Sequence, residues 1–201
     1  MELNPLTALS PIDGRYADAL RDIFSECAFM NARVRVEVEW LISLSEAGFA
    51  ELPHLSDHGK AFLRGLADNF SLADCEAIKE IEKTTNHDVK AVEYWIKNQV
   101  AHDEELKSAS EFVHFSCTSE DINNTSHAIM LKRGREALAD YLQQIHDTIA
   151  GFAHQWAEIP MLSRTHGQTA SPTTVGKEFA NVAVRLERVI EAIRAVKIYA
   201  K

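Results

Sequence analysis

Cysteine is scarce in this chain, and the few that occur do not form a recognised motif. Among 201 residues only Cys27, Cys75 and Cys117 are cysteines, an odd number with no CxxC pair. Secreted domains held together by disulfides carry more cysteines, usually in even number. The cysteine pattern therefore favours a reducing cytosol over a disulfide framework.

The chain also lacks a long apolar run and a surplus of positive charge. No stretch of about 18 apolar residues occurs, so no membrane span is expected. The formal net charge of −9 argues against a nucleic-acid backbone as partner, although a site can still be locally positive. Residues 1–5 do not combine a basic start with an apolar stretch, so no signal peptide is expected.

No segment shows the alternating pattern of a confident strand, and apolar residues instead recur at helical spacing. The composition, 46% hydrophobic and 25% charged, is that of a globular protein. One broad apolar face runs from Leu20 to Leu44, and Gly48 is its expected end. Shorter helices are expected over 57–70, over 72–82 and after Asp88.

The second half of the sequence predicts two long helices. Residues 118–121 (TSED) combine hydroxyl caps with acids, which is typical of a helix start, and the pattern continues to Trp156, about 38 residues or roughly 57 Å. Ser171 followed by Pro172 indicates the start of a final helix with coiled-coil spacing, expected to reach Lys201. Because such helices need partners to bury their apolar faces, we expect a piece of a larger protein, an oligomeric bundle, or both.

Polar segments stand at four expected turns or helix starts, where free backbone N–H groups favour anions. The first, residues 14–16 (GRY), offers a guanidinium and a phenol to a phosphate or carboxylate, or is simply a surface turn. The second, residues 83–88 (KTTNHD), places His87 at a helix N-terminus, which favours a neutral imidazole. Asn86 or Asp88 acting only as a helix cap is the alternative.

The third polar segment, residues 116–124 (SCTSEDINN), has hydroxyls suited to a carboxylate. A capping box would account for Thr118 and Asp121 but not for Asn123 and Asn124, which are poor helix formers. The fourth segment, residues 163–168 (SRTHGQ), lies between the two long helices. It contains a histidine, the side chain best suited to proton transfer near neutral pH, although a plain polar connection is the alternative.

These segments together resemble the adenylosuccinate lyase family of the fumarase/aspartase superfamily, in its bacterial form. The matching stretches, in the family's order and at similar spacing, are 10–16 (SPIDGRY), 84–93 (TTNHDVKAVE), 115–124 (FSCTSEDINN) and 162–168 (LSRTHGQ). The resemblance implies an all-α fold, with an N-terminal helical domain over 1–110 and the first long helices of a fumarase/aspartase-type bundle over 111–201. It also implies a cytoplasmic homotetramer whose sites are each built from three subunits, without a metal or organic cofactor.

The resemblance further implies a β-elimination that releases fumarate. The nucleotide substrates would be adenylosuccinate, giving AMP, and the succinyl-carboxamide ribotide of purine synthesis. Such chemistry needs a base for the succinyl Cβ proton, an acid for the departing nitrogen and groups that stabilise a carbanion-like intermediate.

Roles follow from the resemblance residue by residue. His166 would be the general acid and His87 a second active-site histidine. Arg15 and Tyr16 would bind the phosphate of the nucleotide. The remaining substrate contacts would be Asn86 and Asp88 for positioning, Thr118 and Ser119 for the succinyl portion, and Gln168 for the orientation of its loop or of the substrate.

The sequence departs from the family pattern at two places. Thr169 replaces a usual proline, and the chain ends before the glycine- and serine-rich loop that carries the serine base in the family. We therefore expect these residues alone to be inactive. Two other hypotheses stay open: a different lyase of the superfamily, and a non-catalytic helical assembly.

Overall fold

The computed structural model describes residues 4, 6–10, 13–49 and 51–201. It is built of helices, together with one small two-stranded sheet, so the all-α expectation is confirmed. The chain divides into two compact units, Met1–Leu131 with Tyr199–Lys201, and Lys132–Ile198. The predicted domain boundary near residue 110 stays a prediction.

The first unit contains seven α-helices among its described residues, followed by a short 3₁₀ turn and the start of an eighth helix. Residue Ser25 is extended and its hydroxyl caps α3 by accepting from the amide of Ala28, so the long helical pattern predicted from Asp18 to Gly48 is broken there. Gly48 follows the end of α3 with a positive φ of 65°, as a helix stop requires. The helices are α1 (Asp13–Tyr16), α2 (Asp18–Phe24), α3 (Glu26–Glu46), α4 (Asp57–Asp68), α5 (Leu72–Thr85), α6 (Asp88–Val100) and α7 (Glu104–Ala109), and the 3₁₀ turn is Ser110–Phe112.

The core of this unit forms around α3, whose inward face supplies a continuous series of buried apolar side chains. Residues Val34, Val38 and Leu41 are almost fully buried on it, and they pack in one cluster with side chains from the neighbouring helices. Burial of such side chains contributes about 1.5–3 kcal/mol each. The apolar spacing read from the sequence is therefore the spacing of a real core.

A disulfide joins α3 to α5. Cys27 and Cys75 are bonded, with 5.7 Å between their Cα atoms, and both are buried in the core. Cys117 is the free thiol. The expectation that these cysteines do not form a disulfide framework is therefore wrong for one pair, because folding brings together two first turns that are 48 residues apart.

The predicted long helix is confirmed as α8 (Ser119–Gln155), which is 37 residues without interruption. Its N-terminal end belongs to the first unit and the rest to the second. The two glycines inside it, Gly134 and Gly151, do not break it. At 1.5 Å per residue the helix is about 55 Å long.

A β-hairpin follows α8, and the sequence did not predict it. Strand β1 (Pro160–Thr165) pairs antiparallel with β2 (Gln168–Thr174), with a register irregularity between Leu162 and Arg164. Both prolines of the hairpin fit a sheet with only edge strands, since Pro160 begins β1 and Pro172 lies opposite Leu162.

The last helix, α9, spans Val175–Ala195 and differs from its prediction at both ends. It starts after β2 instead of at Pro172, because Thr174 is extended and its hydroxyl accepts from the amide of Lys177. It ends before Lys201, with Val196 extended. Ser171 and Pro172, which resembled a helix start, are therefore part of strand β2. No helix among the described parts of the chain is both long and apolar enough to cross a membrane.

Candidate active site

His87 lies at the junction of two helices. Asn86 ends α5 in the left-handed conformation, with φ 48°, and His87 is the N-cap of α6. Its Nδ1 accepts a hydrogen bond from the backbone amide of Lys90, 3.2 Å away. The histidine itself therefore caps α6, and Asn86 and Asp88 do not.

This cap sets the protonation pattern of the imidazole. A nitrogen that accepts a hydrogen bond carries no proton, so a neutral His87 that caps α6 through Nδ1 bears its hydrogen on Nε2. The half-exposed ring then presents an N–H group away from the helix. Because Nδ1 is the acceptor in the cap, Nε2 is the nitrogen through which the ring can donate.

The start of α8 is held by a reciprocal cap. The hydroxyl and the amide of Thr118 both donate to one carboxylate oxygen of Asp121, over 2.7 and 2.8 Å. These bonds lower the pKa of Asp121 to about 2. The capping interpretation of Thr118 and Asp121 is therefore confirmed, and it leaves Ser119 in the first turn with its side chain free of this cap.

The two helix starts meet through their polar side chains. The Ser119 hydroxyl lies 3.4 Å from Nε2 of His87, across a sequence separation of 32. Backbone N–H groups at a helix N-terminus carry partial positive charge, so two such ends in contact favour an anionic group. The second and third polar segments of the sequence are thus one site in space.

A cavity of about 490 Å³ lies beside His87. It is open to solvent and has a mixed polar and apolar lining. Arg15 and Tyr16 are not among the described residues that line it. The lining residues are Glu26, Phe29, Met30, Arg33, Glu82, Asn86, His87 and Asp88.

The side chain of Asp88 is half exposed, and both of its carboxylate oxygens accept hydrogen bonds from the protein. One carboxylate oxygen accepts from the amide of Val89, 2.9 Å away, and the other from the Arg33 guanidinium, 2.5 Å away. Partial burial works against ionisation, yet the charge of Arg33 and these hydrogen bonds hold the pKa of Asp88 below its ordinary value. Asp88 is therefore an anion anchored to the protein.

The remaining predicted residues lie on other elements. Arg15 and Tyr16 are exposed on α1, a four-residue helix that packs against α2. Residues Pro11 and Ile12 of the same segment lie outside the described residues. The structure thus places this first polar segment on the surface.

His166 and Gln168 belong to the second unit and lie at the tip of its hairpin. His166 and Gly167 form the two-residue turn, with φ 51° and 74°, and Gln168 pairs with Thr165 as the first residue of β2. Positive φ at both turn positions is the pattern of a type I′ hairpin turn. The polar loop expected between two helices is therefore a strand–turn–strand, and its histidine is exposed at the turn.

Sequence reasoning missed the contribution of Arg33. Its side chain is only 6% exposed and bonds to Asp88 and, through Nε, to Asn123 of α8 over 2.8 Å. The signal was present, because Arg33 and Glu37 are charged residues four apart that share the face of Met30 in an otherwise apolar helix pattern. Asn123, which capping did not explain, also finds its partner here.

The described residues give less support to a metal site or to a nucleophilic cysteine. No three His, Cys, Asp or Glu side chains there converge as a metal site would require. Burial, with the nearby charges of Glu37 and Asp121, raises the pKa of Cys117 to about 11, so its thiol is a poor nucleophile at neutral pH. The groups best placed for chemistry are the imidazole of His87 and the hydroxyl of Ser119.

A family profile described as Lyase matches residues 14–200 of this chain. The match includes every predicted site residue, all of the second compact unit and most of the first. The chain belongs to the Lyase family.

Curated relatives of this Lyase chain carry a more specific name. It is 53% identical to the adenylosuccinate lyases of Vibrio cholerae and Haemophilus influenzae, and 52% identical to that of Escherichia coli K12. Each comparison covers all of this chain and 45% of the relative. The chain therefore spans a little under half the length of these curated relatives, and the resemblance seen in its polar segments is confirmed.

Solved structures show the same fold at much lower identity. The fumarate lyase of Mesorhizobium sp. BNC1 matches with a TM-score of 0.70 and 19% identity, covering 88% of this Lyase chain and 39% of that one. The β-carboxy-cis,cis-muconate cycloisomerase of Acinetobacter calcoaceticus matches with a TM-score of 0.68 and 20% identity, covering 89% and 40%. These matches support the fold and leave the reaction to be argued from the site.

Proposed function

We propose that the full-length protein containing this chain is an adenylosuccinate lyase. It would cleave adenylosuccinate to AMP and fumarate, and the succinyl-carboxamide ribotide to its carboxamide product and fumarate. The observation that carries the proposal is the identity of 53% to curated adenylosuccinate lyases over the whole chain. The paired helix starts at His87 and Ser119 support it, because they favour a dianionic succinyl group.

The roles of the individual residues are part of the same proposal. His166, exposed at the hairpin turn, would act as general acid on the departing nitrogen. His87, with its hydrogen on Nε2, would donate to the hydroxyl of Ser119 and act on the substrate through it. Arg15 and Tyr16 would bind the phosphate. The other substrate contacts would come from Asn86, Asp88, Thr118, Ser119 and Gln168.

Assembly and location also belong to this proposal. A homotetramer is supported by large apolar side chains left half exposed on α8 and α9, among them Leu138, Ile145 and Val189, since such faces normally pack against other helices. A small-molecule substrate agrees with the Lyase family. A cytoplasmic location comes from the family resemblance, whereas the bond between Cys27 and Cys75 argues for a less reducing setting.

Steady-state assays of the full-length protein test the activity. Fumarate release is followed with adenylosuccinate, with the succinyl-carboxamide ribotide and with argininosuccinate. We expect turnover of the first two substrates only. Turnover of argininosuccinate alone would make the protein a different lyase of the superfamily.

The alternative of a non-catalytic assembly is tested with two variants. His87→Ala and His166→Ala in the full-length protein should each lower kcat by at least 100-fold, on the order of the 10²–10⁴ that a positioned acid or base contributes. Unchanged fumarate release in both variants would remove these histidines from the mechanism. Light scattering on the same samples shows whether any loss comes from a broken assembly.

A further inference from the structure

Arg33 occupies an unusual place for an arginine. It lies on the core-facing side of α3, and its side chain is only 6% exposed. A guanidinium held away from water is tolerated when its donors are paired, and two of its three nitrogens have partners here. Its Nε donates to Asn123 Oδ1 over 2.8 Å and its Nη2 to Asp88 Oδ2 over 2.5 Å.

An aromatic ring completes the surroundings of this guanidinium. The Cζ atom of Arg33 lies 3.9 Å from the ring centre of Phe29, one turn earlier on α3. Phe29 in turn stacks on His127 of α8, with 4.4 Å between ring centres. The plane of the guanidinium is thus fixed by a ring face while its edge bonds to two other helices.

These contacts join the two helix starts that form the candidate site. Asp88 is the residue directly after His87, and Asn123 lies one turn after Ser119 on α8. The backbone positions of His87 and Ser119, and hence their 3.4 Å contact, therefore depend on what holds α6 and α8 together here. Arg33 is the side chain that bonds to both.

We infer that Arg33 is a positioning residue, which holds the starts of α6 and α8 in register so that His87 and Ser119 act on the same substrate group. This inference rests on the proposed function, because the effect on catalysis presumes a substrate at His87. The Nε and Nη2 atoms of Arg33 already bond to protein side chains, and one face of its guanidinium lies against Phe29. A lysine in this place would keep the charge but would lack the planar fork that reaches Asp88 and Asn123 together.

Two other roles predict different results. If Arg33 bound an anionic substrate directly, its loss would weaken binding and raise KM. If it served only stability, its loss would lower the melting temperature and leave kcat of the folded enzyme unchanged. A positioning role lowers kcat with little change in KM, because it acts on the geometry of the reacting groups.

The experiment compares Arg33→Lys with Arg35→Lys in the full-length protein. Arg35 is a matched control on the same helix, since it also forms one ion pair to a carboxylate, with Asp68 over 2.6 Å, but lies away from His87 and is 37% exposed. For Arg33→Lys we expect kcat to fall on the order of 100-fold, as a displacement of about 1 Å can cause. For Arg35→Lys we expect both kcat and KM within about twofold of the unsubstituted enzyme.

Asn123→Ala provides a second variant that leaves Arg33 and its charge in place. It removes one of the two bonds, so kcat should fall less than in Arg33→Lys, and the double variant should be no worse than Arg33→Lys alone. Losses that multiply in the double variant would overturn the idea that the two residues act as one unit. If Arg33→Lys fails to fold, a lower kcat at unchanged KM in Asn123→Ala still supports the inference, and an unchanged kcat in Asn123→Ala overturns it.

A structural readout separates this inference from the proposed function. Crystal structures of the full-length protein and of Arg33→Lys give the distance from His87 Nε2 to Ser119 Oγ directly. An increase of this distance by about 1 Å in the variant supports the inference even if adenylosuccinate proves not to be the substrate. A preserved contact together with unchanged kcat, or a rise in KM alone, would overturn it.

Discussion

The Nε2 atom of His87 lies 3.4 Å from the Oγ atom of Ser119, although 32 positions of sequence separate the two residues. Each stands at the start of a helix, so the contact brings two partly positive helix ends to one place. The hydroxyl can accept from the imidazole and donate to a bound carboxylate at the same time. This gives Ser119 a role that differs from that of its neighbour Thr118, which is occupied in a cap.

Ser119→Ala should therefore damage catalysis and leave folding intact. In the proposed complex the substitution removes the hydrogen bond from Ser119 to the substrate carboxylate, and a hydrogen bond to a charged group is typically worth about 1.5–3 kcal/mol. We expect kcat/KM of the full-length protein for adenylosuccinate to fall on the order of 10- to 100-fold.

Ser108→Ala is the control, because Ser108 is exposed on α7 and its hydroxyl donates to the carbonyl of Glu105 in its own helix. It should leave the kinetics unchanged. Equal kinetics for Ser119→Ala and Ser108→Ala would remove Ser119 from the site.

Two glycines of the second unit should respond to alanine in opposite directions. A Cβ at Gly176 would lie 2.3 Å from the carbonyl oxygen of Ala153 and 2.6 Å from the Cα of Ala157, whereas a Cβ at Gly151 would meet nothing within 4 Å. Gly176→Ala should lower the free energy of unfolding by about 1–3 kcal/mol, since rigid backbone must move. Gly151→Ala, inside α8, should raise it by about 0.5–1 kcal/mol.

Chemical denaturation of both variants, followed by circular dichroism, measures these changes. The two glycines form a matched pair, because the added methyl group is the same and only the surroundings differ. A stability gain in Gly176→Ala would show that α9 does not start against the end of α8 as described.

The helices of this chain could be predicted from sequence because their apolar spacing is regular. The 37-residue helix α8 was expected almost to the residue, since its start has strong capping chemistry at Thr118. The site at His87 and Ser119 could be predicted from the sequence only in part. Each residue was a candidate on its own, but the contact between them depends on packing that no local pattern encodes.

The hairpin could not be predicted in the same way. Its strands contain two prolines and several polar residues, so neither shows apolar alternation, and Pro172 after Ser171 imitates a helix start. Pairing with Leu162 decided the conformation of Pro172 instead. The one available signal was the His166–Gly167 turn, since a glycine at the second turn position is common in tight hairpins.

The disulfide between Cys27 and Cys75 predicts a specific thiol count. Under denaturing, non-reducing conditions one of the three cysteines should react with a thiol reagent, and after reduction all three should. Loss of the bond in Cys75→Ser should lower the free energy of unfolding by about 2–4 kcal/mol. Cys117→Ser is the control and should change neither the bond nor, by more than about 0.5 kcal/mol, the stability. Three reactive thiols before reduction would contradict the bond.

Glu37 and His114 form a buried pair whose pH dependence has a definite sign. The Glu37 carboxylate is hydrogen-bonded to His114 Nδ1 and fully buried. The hydrogen bond that His114 donates to the Glu37 carboxylate raises the pKa of His114 above its ordinary 6.5, and burial raises the pKa of Glu37 above 4.5. Both groups hold protons more tightly in the folded state, so the stability that they contribute is lost as pH rises.

The double variant Glu37→Gln/His114→Asn removes both titrating groups, and asparagine tolerates the positive φ of 63° at position 114. The unfolding free energy of the unsubstituted chain minus that of this variant should fall as pH rises above 6.5, because the unsubstituted chain alone loses its imidazolium there. Urea denaturation at a series of pH values measures this difference.

Glu39→Gln, on the same helix, is the control. The hydrogen bond from Arg64 lowers the pKa of Glu39 below 4.5, so the contribution of Glu39 to stability changes only in acid. A difference that rises or stays flat above pH 6.5 would contradict the coupling of Glu37 to His114.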